Sequence, residues 1–249
     1  MVDTLHVATL NIRNLADRWD ERLPLLLADF AALQPDVLGL QEVVYPLQQD
    51  RLIGAAGAGA YRAVRGWAGR PEYGNSMLIR AGLEAGQPDR LDLGFERAAH
   101  RVRLGLAHGA TVLFAVTHLH HEVPDESHRD DQTGALVAWL DRAPPTDAQV
   151  VVGDFNAEPI EPAYARMTAA GFRSAYLEAN GAEPPVTWPS GLQAPGMDTD
   201  GDPGCLDYVW LRGSAAAEAC RLVFHRPAVD DSTLYPSDHL GLTARLRVG

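Results

Sequence analysis

The sequence predicts an α/β (α+β) fold in which two mixed β-sheets pack face to face with helices outside, a four-layer α/β/β/α sandwich. Two observations lead to this prediction. Short β-rich runs alternate with helical stretches near the start of the chain, and consecutive strands follow between residues 75 and 119. Consecutive strands imply antiparallel pairing, whereas the alternation of strands and helices is typical of α/β sheets. Together they predict mixed sheets. With 249 residues and 46% hydrophobic content, we expect a single domain over residues 1–249.

The individual elements follow from hydrophobic periodicity and turn residues. The pattern in the first part of the chain predicts a strand at 5–12, a helix at 21–33, a strand at 37–41 and a helix at 47–56. The middle predicts strands at 76–79, 101–107 and 111–119, then a helix at 127–142 and a buried strand at 149–152. A helix at 161–170 should end at Gly171, which is a suitable C-cap. Strands at 206–211, 221–225 and 240–248 complete the chain.

Composition favours a small substrate over long nucleic acid. The 21 basic and 33 acidic side chains give a formal charge of −12, which repels polyanions unless a local basic patch or a bound cation offsets it. Cys205 and Cys220 form neither a metal-spaced pair nor a disulfide framework, which predicts a cytoplasmic protein. No signal segment and no apolar run of about 18 residues is visible, so we expect no stable membrane insertion. The sequence does not give the oligomeric state, and a monomer is the starting assumption.

Polar side chains lie where five predicted strands end or begin. They are Asn11, Glu42, His118, Asp154 with Asn156, and Asp238 with His239. Strand ends are where α/β sheets commonly bind ligands. Mg²⁺ takes oxygen ligands, usually one or two carboxylates plus phosphate oxygens of the substrate, and Glu42 and Asp238 suit that role. A phosphate centre also needs a positioned water and hydrogen-bond donors, which the other residues of the set could supply.

Seven short motifs carry a family resemblance. They are Thr9-Leu10-Asn11, Leu38-Gly39-Leu40-Gln41-Glu42, Tyr73-Gly74-Asn75-Ser76, Thr117-His118-Leu119, Gly153-Asp154-Phe155-Asn156, Leu206-Asp207-Tyr208-Val209 and Ser237-Asp238-His239. With these motifs in this order over nearly its whole length, the chain resembles the endonuclease/exonuclease/phosphatase superfamily. The superfamily includes nucleases, inositol polyphosphate phosphatases, deadenylases and sphingomyelinases. The resemblance therefore implies a divalent-metal-dependent phosphoesterase that uses Mg²⁺, with Mn²⁺ as a substitute.

The resemblance also implies a set of metal and substrate ligands. Glu42 would be the main metal ligand, with Asn11 and Asp238 near the metal shell. Substrate contacts would come from Asn11, His118, Asn156, Tyr73, Asn75 and Trp188. The two aromatic side chains in this set could stack on a base or ring, although aromatic residues are as often packing elements.

The same resemblance implies the catalytic roles. His239 would contact the scissile phosphate and pair with Asp207, while His118 would donate to a phosphate oxygen. Asp154 would orient or deprotonate the attacking water, and Asn156 would hold that water or an oxygen of the transition state. Whether Asp154 or His239 is the formal base remains open at the level of sequence.

Several alternatives stay open. Within the hydrolase class, the expected substrate is a small nucleotide, sugar or lipid-head-group phosphate, and the alternative is DNA or RNA. A non-catalytic binding module on the same fold is a further possibility. The arginines at 62, 65, 70 and 80 would form a phosphate-binding patch if they fold near the metal, and scattered surface charge otherwise.

Two acidic segments have more than one interpretation. Residues 118–131 are rich in histidine and acids, which favours either a second metal ion or a solvated loop on the substrate side. Asp198-Thr199-Asp200-Gly201-Asp202 resembles a calcium loop superficially but lacks its distant glutamate, so a loop at the mouth of the cleft is the preferred interpretation.

Overall fold

A computed structural model describes residues 2–122, 125–197 and 201–249, except for the side chains of residues 67 and 68. The first elements in chain order are β1 (Asp3–Asn11), α1 (Trp19–Leu33), β2 (Val37–Val44), α2 (Leu47–Ala56), β3 (Tyr61–Ala68), β4 (Arg70–Arg80), β5 (Glu84–Ala85), β6 (Asp89–Gly94) and β7 (Arg97–Gly105). They are followed by β8 (Thr111–His118), α3 (Glu126–Asp141), β9 (Ala148–Asp154), α4 (Pro162–Ala169), β10 (Arg173–Ser174), α5 (Ala175–Asn180), β11 (Asp207–Gly213), β12 (Ala215–Val223) and β13 (Gly241–Val248).

The strands form two mixed sheets, as the sequence predicts. The first sheet has the order β12-β13-β1-β2-β4-β3, and the second has the order β10-β11-β9-β8-β7-β5 with β6 paired to β7. Each sheet contains a parallel pair, β1 with β2 and β8 with β9. The strands that flank these pairs, β13, β4, β7 and β11, run antiparallel to them. Because parallel neighbours end at the same edge, each sheet brings two strand ends together.

Three apolar cores hold the layers together. The central core lies between the sheets and includes Val7, Phe114 and Val150. A second core packs helices α1 and α2 on the first sheet, and a third packs α3 and α4 on the second. The sheets approach closely at Gly39, where an added Cβ would lie 2.5 Å from a methyl of Val152. A side chain at this glycine would therefore push the two sheets apart.

Some elements escaped the sequence-based prediction. The prediction omitted β3 and β6, whose polar and glycine residues weaken the alternation expected of a strand. It also omitted α5, which has only six residues. Gly171 does follow α4, with a positive φ of 82° that suits a glycine after a helix C-terminus. Among the described residues, no helix combines the length and apolar character needed to cross a bilayer.

His100 on β7 has a buried ring without a hydrogen bond to the described residues. It is 3% exposed, and neither ring nitrogen has a hydrogen-bond partner among the described residues. Its ring occupies the space beside Gly66, where an added Cβ would lie 2.1 Å from ring atoms. Burial, with a smaller contribution from the charge of Arg90, lowers the pKa of His100 to about 4. The folded protein therefore holds this ring neutral.

We expect His100 to make the fold sensitive to mild acid. Between pH 6.5 and pH 4 the unfolded chain binds a proton at this histidine that the folded chain does not, so stability falls as the pH falls. At about 1.4 kcal/mol per pH unit the loss reaches about 3 kcal/mol. His100→Leu should remove this pH-dependent part of the free energy of unfolding. Urea denaturation of the wild type and the variant from pH 7 to pH 4.5 would measure the difference. Parallel stability curves for the two proteins over that range would contradict the expectation.

Candidate active site

The predicted polar residues meet at one end of the sandwich. Asn11 and His118 end strands β1 and β8, and Asp154 ends β9 opposite His118 in the parallel register. Asp207 begins β11 and faces Asp154 in the antiparallel register. His239 lies just before β13, whose first residues pair with the end of β1. These residues converge because parallel strands end, and antiparallel strands begin, at the same edge of each sheet.

Asp154 is the centre of the arrangement. Its side chain is 1% exposed, and its Oδ2 accepts a hydrogen bond from Asn11 Nδ2 at 3.0 Å. The same oxygen lies 3.4 Å from His118 Nε2 and 3.7 Å from His239 Nε2. Burial raises the pKa of Asp154 to about 6, although the charge of His239 opposes that shift. One carboxylate oxygen is thus surrounded by groups from three other segments.

Backbone conformation directs Asp154 toward this centre. The preceding residue, Gly153, has a φ of 144°, which side-chain-bearing residues rarely adopt. An added Cβ would lie 2.0 Å from the carbonyl oxygen of Thr117 on the neighbouring strand. Only glycine therefore fits between β8 and the C-terminal end of β9.

Glu42 projects into the site from an irregular part of β2. The pairing of β2 with β4 shifts register between Leu40 and Val43, and Glu42 has a left-handed φ of 57°. Such conformations cost free energy and concentrate at functional sites. Glu42 Oε1 accepts from Asn11 Nδ2 at 3.3 Å, and Oε2 accepts from Asn14 Nδ2 at 2.9 Å. Asn14 was not predicted, because an asparagine after a strand is ordinarily a turn residue.

His239 and Asp207 form a buried pair. His239 Nδ1 lies 2.9 Å from Asp207 Oδ2, and Asp207 is fully buried. Burial by itself would lower the pKa of His239, but the negative charges of Asp207 and Asp154 outweigh it and raise the pKa to about 10. The imidazole is therefore protonated near neutral pH, with Nδ1–H donated to Asp207 and Nε2–H facing Asp154.

His118 has the opposite character. Burial and the neighbouring charge of Arg97 hold its pKa well below the usual value, so the ring is neutral. Arg97 Nη1 lies 3.4 Å from His118 Nδ1, and a guanidinium can only donate. Nδ1 is therefore the acceptor, and the ring proton sits on Nε2, which faces Asp154. His118 is a neutral donor beside the charged His239.

Arg97 is a functional candidate that the sequence-based reasoning missed. It begins β7 and lines a recess together with Glu42, Tyr73, Asn75 and His118. Its Nε is shielded from solvent and has no hydrogen-bond partner among the described residues. A lone arginine at a strand start carries no distinguishing signal in a single sequence. Its Nη1 lies 3.4 Å from His118 Nδ1, which places a positive charge beside the predicted phosphate contacts.

The predicted substrate contacts fall around this recess. Asn75 is buried and donates from Nδ2 to the carbonyl oxygen of Ala98 at 2.8 Å, which fixes the amide. Tyr73 lines the recess, and the guanidinium of Arg70 lies 5.5 Å from the centre of its ring. Of the four arginines considered as a patch, Arg70 is thus beside the site. Arg80 instead pairs with Asp36, at the opposite end of β2 from Glu42.

Asn156 follows Asp154 in a tight turn. Its backbone N–H donates to Asp154 Oδ1 at 2.9 Å, and its φ is 48°. Its Nδ2 donates to the carbonyl oxygen of Leu119 at 3.1 Å, so the side chain ties β9 to the segment after β8. The side-chain oxygen Oδ1 is left to contact a ligand, and the role predicted for Asn156 stays a prediction.

Asp238 and Trp188 lie on the other side of His239. Asp238 is 1% exposed, and its Oδ2 lies 3.4 Å from Trp188 Nε1 and 3.5 Å from Arg13 Nη1. The Trp188 ring centre is 6.5 Å from that of His239. These contacts join Asp238 to Arg13 and Trp188, and its place in a metal shell stays a prediction. The calcium-like segment lies partly outside the described residues, which omit 198–200.

The carboxylate oxygens near Asn11 are suitable ligands for a hard divalent cation. Glu42 Oε1 and Asp154 Oδ2 both accept from the Asn11 amide nitrogen, which brings two carboxylates to one side of the site. Oxygen ligands of this type suit Mg²⁺ or Mn²⁺. Ligand atoms of Asp154, Asp207 and His239 also lie within 4.8 Å of one another. The hydrogen bond between His239 and Asp207 accounts for that second grouping without an ion.

Comparisons with known proteins agree with this geometry. The model of the Endonuclease/Exonuclease/phosphatase family matches residues 8–239. Nocturnin of Xenopus laevis is 28% identical over 259 residues, which cover 90% of this chain and 64% of that protein. The chain thus spans less than two thirds of this curated relative.

Solved structures share the fold. The human Nocturnin catalytic domain with bound sulfate anion superposes with a TM-score of 0.78 at 24% identity, covering 100% of this chain and 98% of that one. TDP2 of D. rerio complexed with single strand DNA product has a TM-score of 0.80 at 17% identity, covering 98% of each chain. At these identities the likeness concerns the fold.

Proposed function

The chain belongs to the endonuclease/exonuclease/phosphatase family, and from that premise we propose that it is a divalent-metal-dependent phosphoesterase. The observation that carries this proposal is the convergence on one Asp154 oxygen of Asn11, His118 and His239, with Glu42 bonded to the same Asn11. Carboxylate, amide and imidazole groups in one small volume are what hydrolysis at phosphorus requires.

Glu42 is the carboxylate that would hold Mg²⁺ or Mn²⁺, and Asn11 positions it by donating from Nδ2 to its Oε1. When bound, the cation would supply positive charge for the phosphoryl oxygens and for the oxygen that leaves. Asn14 orients Glu42 by donating to its Oε2 at 2.9 Å. Asn11 is fixed in turn, because its Oδ1 accepts from the backbone of Arg13 at 3.0 Å. A site whose ligands are already positioned loses little entropy when the cation binds.

The other polar residues would act on water and phosphate. Asp154 can accept a proton from the attacking water, because its buried oxygen lies among donors that also orient that water. His239 donates from Nε2 to a phosphoryl oxygen, while Asp207 holds the ring through Nδ1. His118 donates from Nε2 as a neutral group. These donors are in place before the reaction, so transition-state charge is stabilised without rearrangement.

Arg97 would bind the phosphate in the ground state. We expect Arg97→Met to raise the KM for a phosphate substrate about 10- to 100-fold, because hydrogen bonds to charged groups contribute about 1.5–3 kcal/mol. The fall in kcat should be smaller. Steady-state kinetics and inhibition by inorganic phosphate would measure the effect. Arg103→Met, an exposed change on the same strand, is the matched control. An unchanged KM and phosphate inhibition constant would remove Arg97 from the site.

The substrate class is proposed to be small. The chain carries a net charge of −12, and among the described residues Arg97, Arg70 and Arg13 are placed at the site by their contacts with His118, Tyr73 and Asp238. A surface that follows several phosphates of a duplex normally needs many more basic groups. Tyr73 and Trp188 flank the site and could stack on a base or ring of a nucleotide-like substrate. Nuclease activity is the second candidate, because one structural relative is described with a single-stranded DNA product.

A substrate panel tests both proposals. It includes bis-p-nitrophenyl phosphate, p-nitrophenyl phosphate, inositol phosphates, sphingomyelin, single-stranded DNA and plasmid, each with Mg²⁺ and with Mn²⁺. We expect metal-dependent hydrolysis of at least one small ester and little plasmid nicking at physiological salt. The His239→Ala variant, purified identically, controls for contaminating nucleases. Strong plasmid nicking by the wild type but not by His239→Ala would overturn the preference for small substrates. Absence of hydrolysis of every substrate would overturn the proposal that the protein is an enzyme.

A further inference from the structure

A second cluster of metal-binding side chains lies between the end of β8 and the first turn of α3. His120 Nε2 lies 3.1 Å from Asp125 Oδ2, and His128 Nδ1 lies 3.3 Å from the same oxygen. One ligand atom from each residue lies within 4.8 Å of the other two. We propose that His120, Asp125 and His128 bind a divalent transition ion of the zinc class, separate from the cation at Glu42.

The distances fit such an ion. Zinc binds imidazole nitrogen and carboxylate oxygen at about 2.0–2.2 Å, so ligand atoms around a tetrahedral ion stand about 3.4 Å apart. The two distances to Asp125 Oδ2, 3.1 and 3.3 Å, are close to that separation. An ion can therefore enter with small side-chain movements. Three protein ligands leave a fourth position for water.

The His128 ring shows how an ion would complete the cluster. Its side chain is 40% exposed, but its Nδ1 is shielded from solvent and makes no hydrogen bond to the described residues, because its 3.3 Å contact with Asp125 Oδ2 lacks the geometry of one. A shielded nitrogen without a partner costs free energy, and a metal ion at this position would supply the partner. The unpaired nitrogen faces the atoms that would complete the site.

The ligands are positioned before any ion binds. Phe95 packs against both imidazoles, with ring centres 4.9 Å from His120 and 4.5 Å from His128. The backbone N–H of His120 donates to Gln132 Oε1 at 2.8 Å, and His120 is 5% exposed. Asp125 and His128 are one helical turn apart at the start of α3, so their side chains lie on the same face.

The ligand types distinguish this site from the catalytic one. Two imidazole nitrogens and one carboxylate favour zinc and neighbouring transition ions, whereas the oxygen ligands around Glu42 favour Mg²⁺. The zinc proposal also stands independently of the phosphoesterase proposal, because none of its three ligands belongs to the catalytic set.

Metal-binding measurements on the untagged, chelator-treated full chain test the proposal. Calorimetry should show that one Zn²⁺ ion binds tightly to each protein chain. Zinc should also raise the Tm, because it binds the folded state. His128→Ala and Asp125→Asn should each weaken zinc binding at least tenfold and abolish the Tm increase. His108→Ala, an exposed histidine in the turn between β7 and β8, is the matched control and should bind zinc like the wild type. Apo-protein melting curves for each variant check that it is folded.

The Glu42→Gln variant separates the two metal sites. This variant should still bind one Zn²⁺ ion tightly even if its catalytic activity is lost. Loss of zinc from Glu42→Gln, with retention in both His128→Ala and Asp125→Asn, would overturn the proposal by locating the ion at the catalytic centre. Absence of tight zinc binding by the wild type would also overturn it.

Discussion

Replacing His239 with alanine is expected to lower kcat by about 10²- to 10³-fold or more, the cost of removing a positioned donor to the transition state. The imidazole lies between Asp207, 2.9 Å from Nδ1, and Asp154, 3.7 Å from Nε2. No other described side chain is bonded to Asp207 in a way that could replace this charged donor. Hydrolysis of bis-p-nitrophenyl phosphate at saturating Mg²⁺ measures the effect.

The alanine variant should also lose stability. Asp207 is fully buried, and without His239 it remains as a buried carboxylate whose charge is uncompensated, which typically costs about 3–5 kcal/mol. The double variant His239→Ala, Asp207→Ala removes the stranded charge and should regain part of that stability without regaining activity. Urea denaturation of the three proteins separates the two effects. A folded His239→Ala variant with a kcat within threefold of the wild type would exclude His239 from catalysis.

Replacing Glu42 with glutamine is expected to weaken Mg²⁺ binding on the order of 100-fold and to lower activity most strongly at limiting metal. The substitution keeps the shape of the side chain but removes the charge that holds a hard cation. Its amide can still accept one of the hydrogen bonds that Asn11 and Asn14 donate to the carboxylate. The fold should therefore persist, and high Mg²⁺ should restore part of the activity.

The metal titration needs a charge-matched control. Glu218→Gln makes the same change at an exposed position on β12, and its Mg²⁺ dependence should equal that of the wild type. The measurement is the half-saturating Mg²⁺ concentration for turnover, together with calorimetric binding of Mn²⁺. Equal half-saturation in the Glu42→Gln variant and the wild type would show that Glu42 does not bind the metal.

Much of the fold was predictable because its signals are local. Predicted strands at 5–12, 111–119 and 240–248 differ by at most two residues at either end from β1, β8 and β13. Their apolar alternation reflects one buried face per strand or, in the central strands, two. Strands β3 and β6 were missed because arginine, aspartate and glycine interrupt that alternation. Tertiary pairing with β4 and β7 stabilises them despite weak local preference.

The site was predictable to the extent that its residues end or begin strands. Asn11, His118 and Asp154 follow buried strands, so a sheet edge was the expected meeting place. The positions of Arg97 and Asn14 at the site were not predictable, because each depends on contacts between distant segments. Arg97 reaches His118, 21 residues along the chain, and Asn14 reaches Glu42, 28 residues along.

The sequence by itself determined most of the strands and helices and the kinds of ligand present, since periodicity, turn residues and side-chain chemistry are properties of short segments. Only the tertiary structure decided which groups touch. Packing placed Asp207 on His239 and Arg97 on His118, and those contacts make one imidazole charged and the other neutral. Protonation of a buried ring depends on the charges and the solvent around it, which neighbouring strands supply from elsewhere in the chain.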